Sequence, residues 1–193
     1  ATDNGATGHL MRDTGMPHDS MANTVRLFLG TRLECAQCHN HPFDHWTQKQ
    51  FFEMAAFFGN MRYRDNRVLG NYRDIRKELA TEDQRTRQRA LQLVRRLTQG
   101  IQGSGNGVEK LPKDYQYDDG KPLSAIKAST IFGSKVKLNY PKTRGQSQSK
   151  RARQRRRSTA TQVVGINSRE ALADWMTDKK NPQFAKVIAN RMW

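Results

Sequence analysis

Apolar positions recur with a helical period from Met21 onward. Met21, Val25, Phe28 and Leu29 stand at i, i+4, i+7 and i+8, one face of a helix, and Ser20 precedes them as an N-cap residue. The spacing predicts a helix over about 20–38, weakened at Gly30. His41-Pro42-Phe43-Asp44 breaks it. Thr47-Gln48-Lys49-Gln50 then fits a capping box, in which the Thr hydroxyl accepts from the amide three residues on and the Gln side chain reaches back. Phe51, Phe52, Met54, Ala55, Phe57 and Phe58 follow on a second helix that Gly59 ends; this most apolar stretch is the expected core.

Further on, Thr81-Glu82-Asp83-Gln84 fits another capping box, and Ala90, Leu91, Val94 and Leu97 form the apolar stripe of a helix at about 81–98. Arg85, Arg87, Arg89, Arg95 and Arg96 occupy its other positions. Gly100 to Gly107 is a flexible break, and 108–140 reads as loops with short extended pieces, one of them Ser134 to Tyr140. Ala171, Leu172, Trp175 and Met176 mark a later helical face, and Asn181-Pro182 is an N-cap followed by an N1 proline. Residues 1–19 are polar and glycine-rich and read as an extended arm. Ala1 in place of Met, and an amphipathic pattern cut short at Phe184 to Trp193, suggest a piece of a longer protein, in which any export signal would lie upstream.

Composition narrows the class. No run of ~18 apolar residues suits a transmembrane helix, and two cysteines cannot build a disulfide-dense scaffold. The net charge of +16 invites a nucleic-acid reading, yet eight of the basic residues and no acid fall in 142–157, a low-complexity run of Gln, Ser and Arg. That run reads as a solvated loop or a polyanion-facing arm; an envelope address would favour polysaccharide or an anionic membrane surface over nucleic acid. With only 35% hydrophobic residues, the ordered part needs a cofactor, neighbouring domains of the parent chain, or a homo-oligomer or larger assembly to complete its core. Asp114, Asp118 and Asp119 read as turn chemistry, and no catalytic constellation is present.

The chain's only two cysteines lie in Cys35-Ala36-Gln37-Cys38-His39, the C-x-x-C-H pattern of c-type haem attachment. Two thiols at this spacing can add to the two vinyl groups of one haem, and the adjacent imidazole can serve as proximal iron ligand. A dithiol redox pair usually follows a strand, whereas the pattern here is helical. The rival is zinc held by Cys35, Cys38, His41 and His45, although the gap between the pairs is shorter than in a standard finger and Pro42 stiffens it.

Phe28 to Gln48, containing Cys35-Ala36-Gln37-Cys38-His39-Asn40-His41-Pro42-Phe43-Asp44 and Trp46-Thr47-Gln48, resembles the signature of the planctomycete cytochrome-like domain of unknown function DUF1549, or PSCyt2. Ala55-Ala56-Phe57-Phe58, Leu111 to Tyr117 and Ile131-Phe132-Gly133 resemble later pieces of that family, and Arg169 to Trp193 resembles the opening of DUF1553, its usual companion. The resemblance implies covalent haem c at Cys35, Cys38 and His39, in a large exported protein of the periplasm or cell envelope. Its biological role would be electron transfer or redox chemistry with an unknown partner protein. His45 stands where the family often has Lys or Arg, which weakens the zinc reading.

The distal side of the iron would decide the chemistry. Met61, which follows Gly59, and His18, which precedes the first helix, are the preferred candidate distal ligands, ahead of His9 and of Met54, which reads first as core. His41 is too close to His39 to cross the macrocycle and is better as a neighbouring group or zinc ligand. Phe43, Trp46 and Phe51, with Phe52, Phe57 and Phe58, are the aromatics expected to wall the haem. The expected fold is therefore mainly α, a small c-type-cytochrome-like helical core with long irregular segments. Its divisions are an arm at 1–19, a haem-binding domain at 20–140, a basic flexible linker at 141–165 and the start of a second helical domain at 166–193.

Overall fold

A proline and a glycine set the bounds of the central helix. In the computed structural model, which describes residues 5–59, 61–64, 83–97, 99–102, 107–132, 135–138, 140 and 167–193, helix α2 runs Pro17–Leu29. Pro17 sits in its first turn, where the missing N–H has no intrahelical partner to lose. Ser20, expected to cap, instead lies buried inside the helix, its amide donating to the Met16 carbonyl at 3.0 Å. Met21, Val25 and Leu29 are buried as their spacing predicts.

Gly30 ends α2 with φ +64°, a left-handed conformation, and the expected helix over 20–38 splits there. Only a short 3-10 turn, Glu34–Gln37, resumes beyond it. A Cβ on Gly30 would stand 2.7 Å from Cγ2 of Val187, so glycine is required by both the backbone and its neighbour. Gly30→Ala is expected to cost at least ~1–2 kcal/mol from conformation alone, read as a lower thermal midpoint. An unchanged midpoint would show that neither requirement holds.

Helix α3, Gln48–Ala55, carries the expected capping box: Thr47 Oγ1 accepts from the Gln50 amide at 3.2 Å, and Gln50 Oε1 accepts from the Thr47 amide at 2.9 Å. A 3-10 turn, Ala56–Phe58, extends it to Gly59. Phe51, Phe52, Met54, Phe57 and Phe58 are all buried, while Lys49, Gln50 and Glu53 stay partly exposed as the polar face of an amphipathic helix.

Residues 1–19 are not an extended arm in their described part. Helix α1, Gly5–Arg12, precedes a turn into α2, and its Leu10 packs against the core while His9 lies edge-on to Phe28. Packing of Leu10 and His9 against the rest of the chain offsets the two glycines of α1, none of whose residues is fully buried. Helix α4, Gln84–Leu97, is capped by Asp83, whose Oδ1 accepts from the Arg85 and Thr86 amides at 2.8 and 3.0 Å. Thr81 and Glu82 of the expected box lie outside the described residues, as does the basic stretch 142–157 with the rest of the expected linker 141–165.

Two small antiparallel pairs occupy the middle. Strand β1, Arg62–Arg64, pairs with β2, Gln99–Gln102, and β3, Val108–Lys110, pairs with β4, Ala125–Lys127, in the register Glu109 to Ile126. The extended piece expected at 134–140 forms no strand among its described residues. Helices α5, Ser168–Thr177, and α6, Pro182–Met192, form the C-terminal pair. Asn181 caps α6, as expected, accepting from the Gln183 amide.

That pair does not open a separate core. Leu172, Trp175 and Met176 belong to one buried cluster with Met21, Leu29, Phe51 and Phe57. Ser168 Oγ donates to the Phe57 carbonyl at 2.8 Å, and Gln183 Nε2 donates to the Leu29 carbonyl at 3.0 Å. These two bonds, the first of them buried, and the shared apolar cluster explain why the expected division at 166 is absent from the packing. The chain is mainly helical.

Candidate functional site

The 3-10 turn Glu34–Gln37 presents Cys35 to solvent while burying Ala36 in the core. Cys38 follows, exposed, its amide reaching the Cys35 carbonyl at 3.4 Å. Neither cysteine is in a disulfide. A single turn thus anchors its backbone through Ala36 and leaves both thiols facing outward.

His39 is also exposed. Its Nδ1 lies 2.7 Å from the Asn40 carbonyl oxygen. A carbonyl oxygen only accepts, so Nδ1 carries the proton, and in the neutral ring the lone pair is on Nε2. The ring is therefore held in the tautomer that offers Nε2 to a metal, the arrangement that orients a ligating histidine.

Asn40 is itself held. Its amide donates to the Tyr117 hydroxyl oxygen at 2.8 Å, and its Oδ1 accepts from the Gln48 amide at 2.9 Å. Gln48, buried at the start of α3, also donates from Nε2 to the Gln37 carbonyl at 3.0 Å. The loop 41–46 closes where the His41 amide donates to the Trp46 carbonyl at 2.8 Å. Burial first, and the neighbouring Asp119 carboxylate second, push the Tyr115 phenol well up; its hydroxyl donates to Asp119 Oδ1.

The aromatics expected to wall a haem divide. Phe43 is 94% exposed, beside the motif in sequence and free to cover an apolar ligand. Trp46 is buried, edge-on to Phe132 at 5.2 Å and against the His45 ring at 4.0 Å. Phe51 is fully buried in the core, as are Phe57 and nearly all of Phe52 and Phe58, so these rings pack protein rather than an outside group. The reason is that α3 turns its aromatic face into the core and leaves Lys49, Gln50 and Glu53 on the outer one.

The proposed distal residues have other contacts. His18 packs edge-on to Phe51 and Phe52 at 5.9 and 5.3 Å and lies 4.0 Å from Glu109 Oε2. Met61 packs on the core cluster, its amide donating to the Phe58 carbonyl. Met54 is core. The four candidate zinc ligands do not converge: among the described residues no three Cys, His, Asp or Glu side chains gather as a metal group. His41 Nδ1 accepts from the Phe43 amide at 3.2 Å, and His45 Nδ1 pairs with Asp44 Oδ1 at 2.7 Å. Each ring is turned to its own loop. The Asp44 carboxyl is held below its ordinary range chiefly by the His45 amide.

Residues 3–63 match the family model PSCyt2, Protein of unknown function (DUF1549). The PSCyt2 match spans α1, α2, the cysteine motif, α3 and its 3-10 extension, and ends at β1. Tyr117 and the C-terminal pair lie beyond it. No curated protein and no solved structure matches the chain.

Asn40, Gln48 and Tyr117 were not recognisable as site residues from sequence alone. Gln48 carried one usable signal, a glutamine inside the capping-box sequence that opens a phenylalanine-rich helix. Tyr117 carried none, because its bond to Asn40 spans 77 residues.

Proposed function

We propose that this chain is a c-type haem-binding module of an exported redox protein, with Cys35 and Cys38 as attachment points and His39 as iron ligand. The observation that carries the reading is the His39 ring, exposed beside two free exposed thiols with Nδ1 donating to a backbone carbonyl. These residues fit the group: two nucleophilic sulfurs for its two vinyls, and one nitrogen with a free lone pair. When bound, the haem would supply a one-electron couple. Phe43 would shield part of it from water.

Covalent haem is assembled outside the cytoplasm, so the reading places the chain in the periplasm or envelope. No described helix is long and apolar enough to cross a membrane. The net charge of +16 favours an acidic redox partner, and the stretch 142–157 adds polysaccharide or an anionic membrane surface as possible polyanions. The cytochrome-like character of the helical core, and the likeness of Arg169–Trp193 to DUF1553, belong to the same proposal.

The test is co-expression with the periplasmic haem-attachment machinery. A Soret band, reduced-state visible bands and colour that survives acid–acetone extraction are expected, with one iron per chain. A colourless protein, or one holding zinc and no iron, overturns the reading.

A further inference from the structure

The His39 tautomer depends on where the Asn40 carbonyl points, and that carbonyl belongs to a residue held from two sides. Asn40 N–H donates to Tyr117 Oη at 2.8 Å, and Asn40 Oδ1 accepts from Gln48 N–H at 2.9 Å. The Gln48 amide belongs to the first turn of α3, where helix amides have no intrahelical partner, so this bond takes nothing from the helix. The Gln48 side chain reaches the Gln37 carbonyl, between the two cysteines, at 3.0 Å. Buried as it is, it needs that partner.

Tyr117 is tied to the same helix. Its ring packs on Tyr115 at 5.6 Å, the Tyr115 hydroxyl donates to Asp119, and the Asp119 carbonyl accepts from Lys49 Nζ at 2.7 Å. Lys49 follows Gln48 on α3. The N-terminus of α3 thus holds the motif directly, and holds the 115–119 loop that touches the motif from the other side.

We propose that Tyr117, acting with Asn40 and Gln48, is a positioning residue for His39: the brace fixes the carbonyl that takes the Nδ1 proton. It thereby sets which ring nitrogen is offered to iron and how strongly it donates. The proposal rests on the haem reading above. A firm Nδ1–H bond raises the basicity of the ligating nitrogen and favours ferric iron, so loosening it raises the reduction potential.

Tyr117→Phe removes one oxygen and keeps the ring. In the haem-free chain, nitrogen NMR of the neutral His39 ring is expected to show the Nδ1–H tautomer in wild type. In Tyr117→Phe it should shift toward the mixture of an unconstrained imidazole. In the haem-loaded chain the midpoint should rise by up to about 59 mV, the one-electron equivalent of a tenfold change, the effect of losing the histidine's own partner, because Tyr117 acts on that partner and is not itself bonded to His39. Tyr140→Phe, which loses its hydroxyl bonds to Gly107 and Ala128 and none to the motif or the 115–119 loop, is the control and should match wild type in both readouts. A Tyr117→Phe protein indistinguishable from wild type overturns the proposal. Equal shifts in both tyrosine variants overturn it as well, since they would report a general loosening of the chain and not a role of Tyr117. A wild-type chain that takes up no haem defeats the haem reading instead, and the tautomer measurement then decides the positioning role alone.

Discussion

Cys35→Ser combined with Cys38→Ser is expected to give a folded protein that carries no haem through acid–acetone extraction. Both thiols are exposed and outside any disulfide, so their replacement removes no core contact. The far-UV circular dichroism and the urea midpoint of the haem-free chain should match wild type within about 0.5 kcal/mol, the range of ordinary surface substitutions. Each single variant keeps one attachment sulfur and should retain part of the extraction-resistant colour. The double variant keeps none, and a hydroxyl is far too weak a nucleophile to replace a thiolate. Equal extraction-resistant haem in the double variant and wild type would show that the thiols do not hold the group. A double variant that fails to fold would show that Cys35 and Cys38 have a core role their exposure denies.

Phe51→Ala is expected to have the largest effect on stability, about 3–5 kcal/mol, with or without haem. The ring is fully buried, edge-on to Phe52 at 5.4 Å and to His18 at 5.9 Å, on the helix against which α2, β3 and β4 pack. Native stabilities of about 5–15 kcal/mol leave little margin for such a loss. Urea unfolding of the haem-free chain gives the number. A loss below about 1 kcal/mol, coupled to a shifted haem spectrum in the loaded form, would mean that Phe51 faces the cofactor after all. The contrast with Phe43, exposed in the motif loop, separates the aromatic that serves the core from the one available to a ligand.

The parts of the fold that were legible are those held by neighbours in sequence. The capping box at Thr47–Gln50 needs four residues, and its two bonds form as the pattern requires. Asn181-Pro182 starts a helix because its amide and ring preferences are local. The Met21, Val25 and Leu29 face is buried because a helix brings every third or fourth residue to one side.

Where several local signals competed, sequence reading went astray. Ser20 looked like a cap, but Pro17 had already begun the helix. Gly30 looked like a weak point and is a terminus, because it takes the left-handed conformation that closes α2. Helix α1 was missed because Gly5 and Gly8 depress its local propensity, while the packing that supports it involves residues far along the chain. Three-residue strands such as β3 and β4 are too short to show a period. Phenylalanine at 51 and at 43 is the same letter, and only packing tells the buried ring from the exposed one.

By itself the sequence determined the chemistry available: two thiols one turn apart, an imidazole beside them, and a helical scaffold on either side. Those are properties of residue type and short spacing, which the chain carries wherever it folds. Only the tertiary structure decided how that chemistry is presented. It turned the thiols outward by burying Ala36, assigned the His39 proton through the Asn40 carbonyl, and turned His41 and His45 to their own loops. It also brought Tyr117 to the motif across 77 residues. Hydrogen bonds of that reach leave no periodic trace in a sequence, because their geometry is set by the packing of the core that lies between their ends.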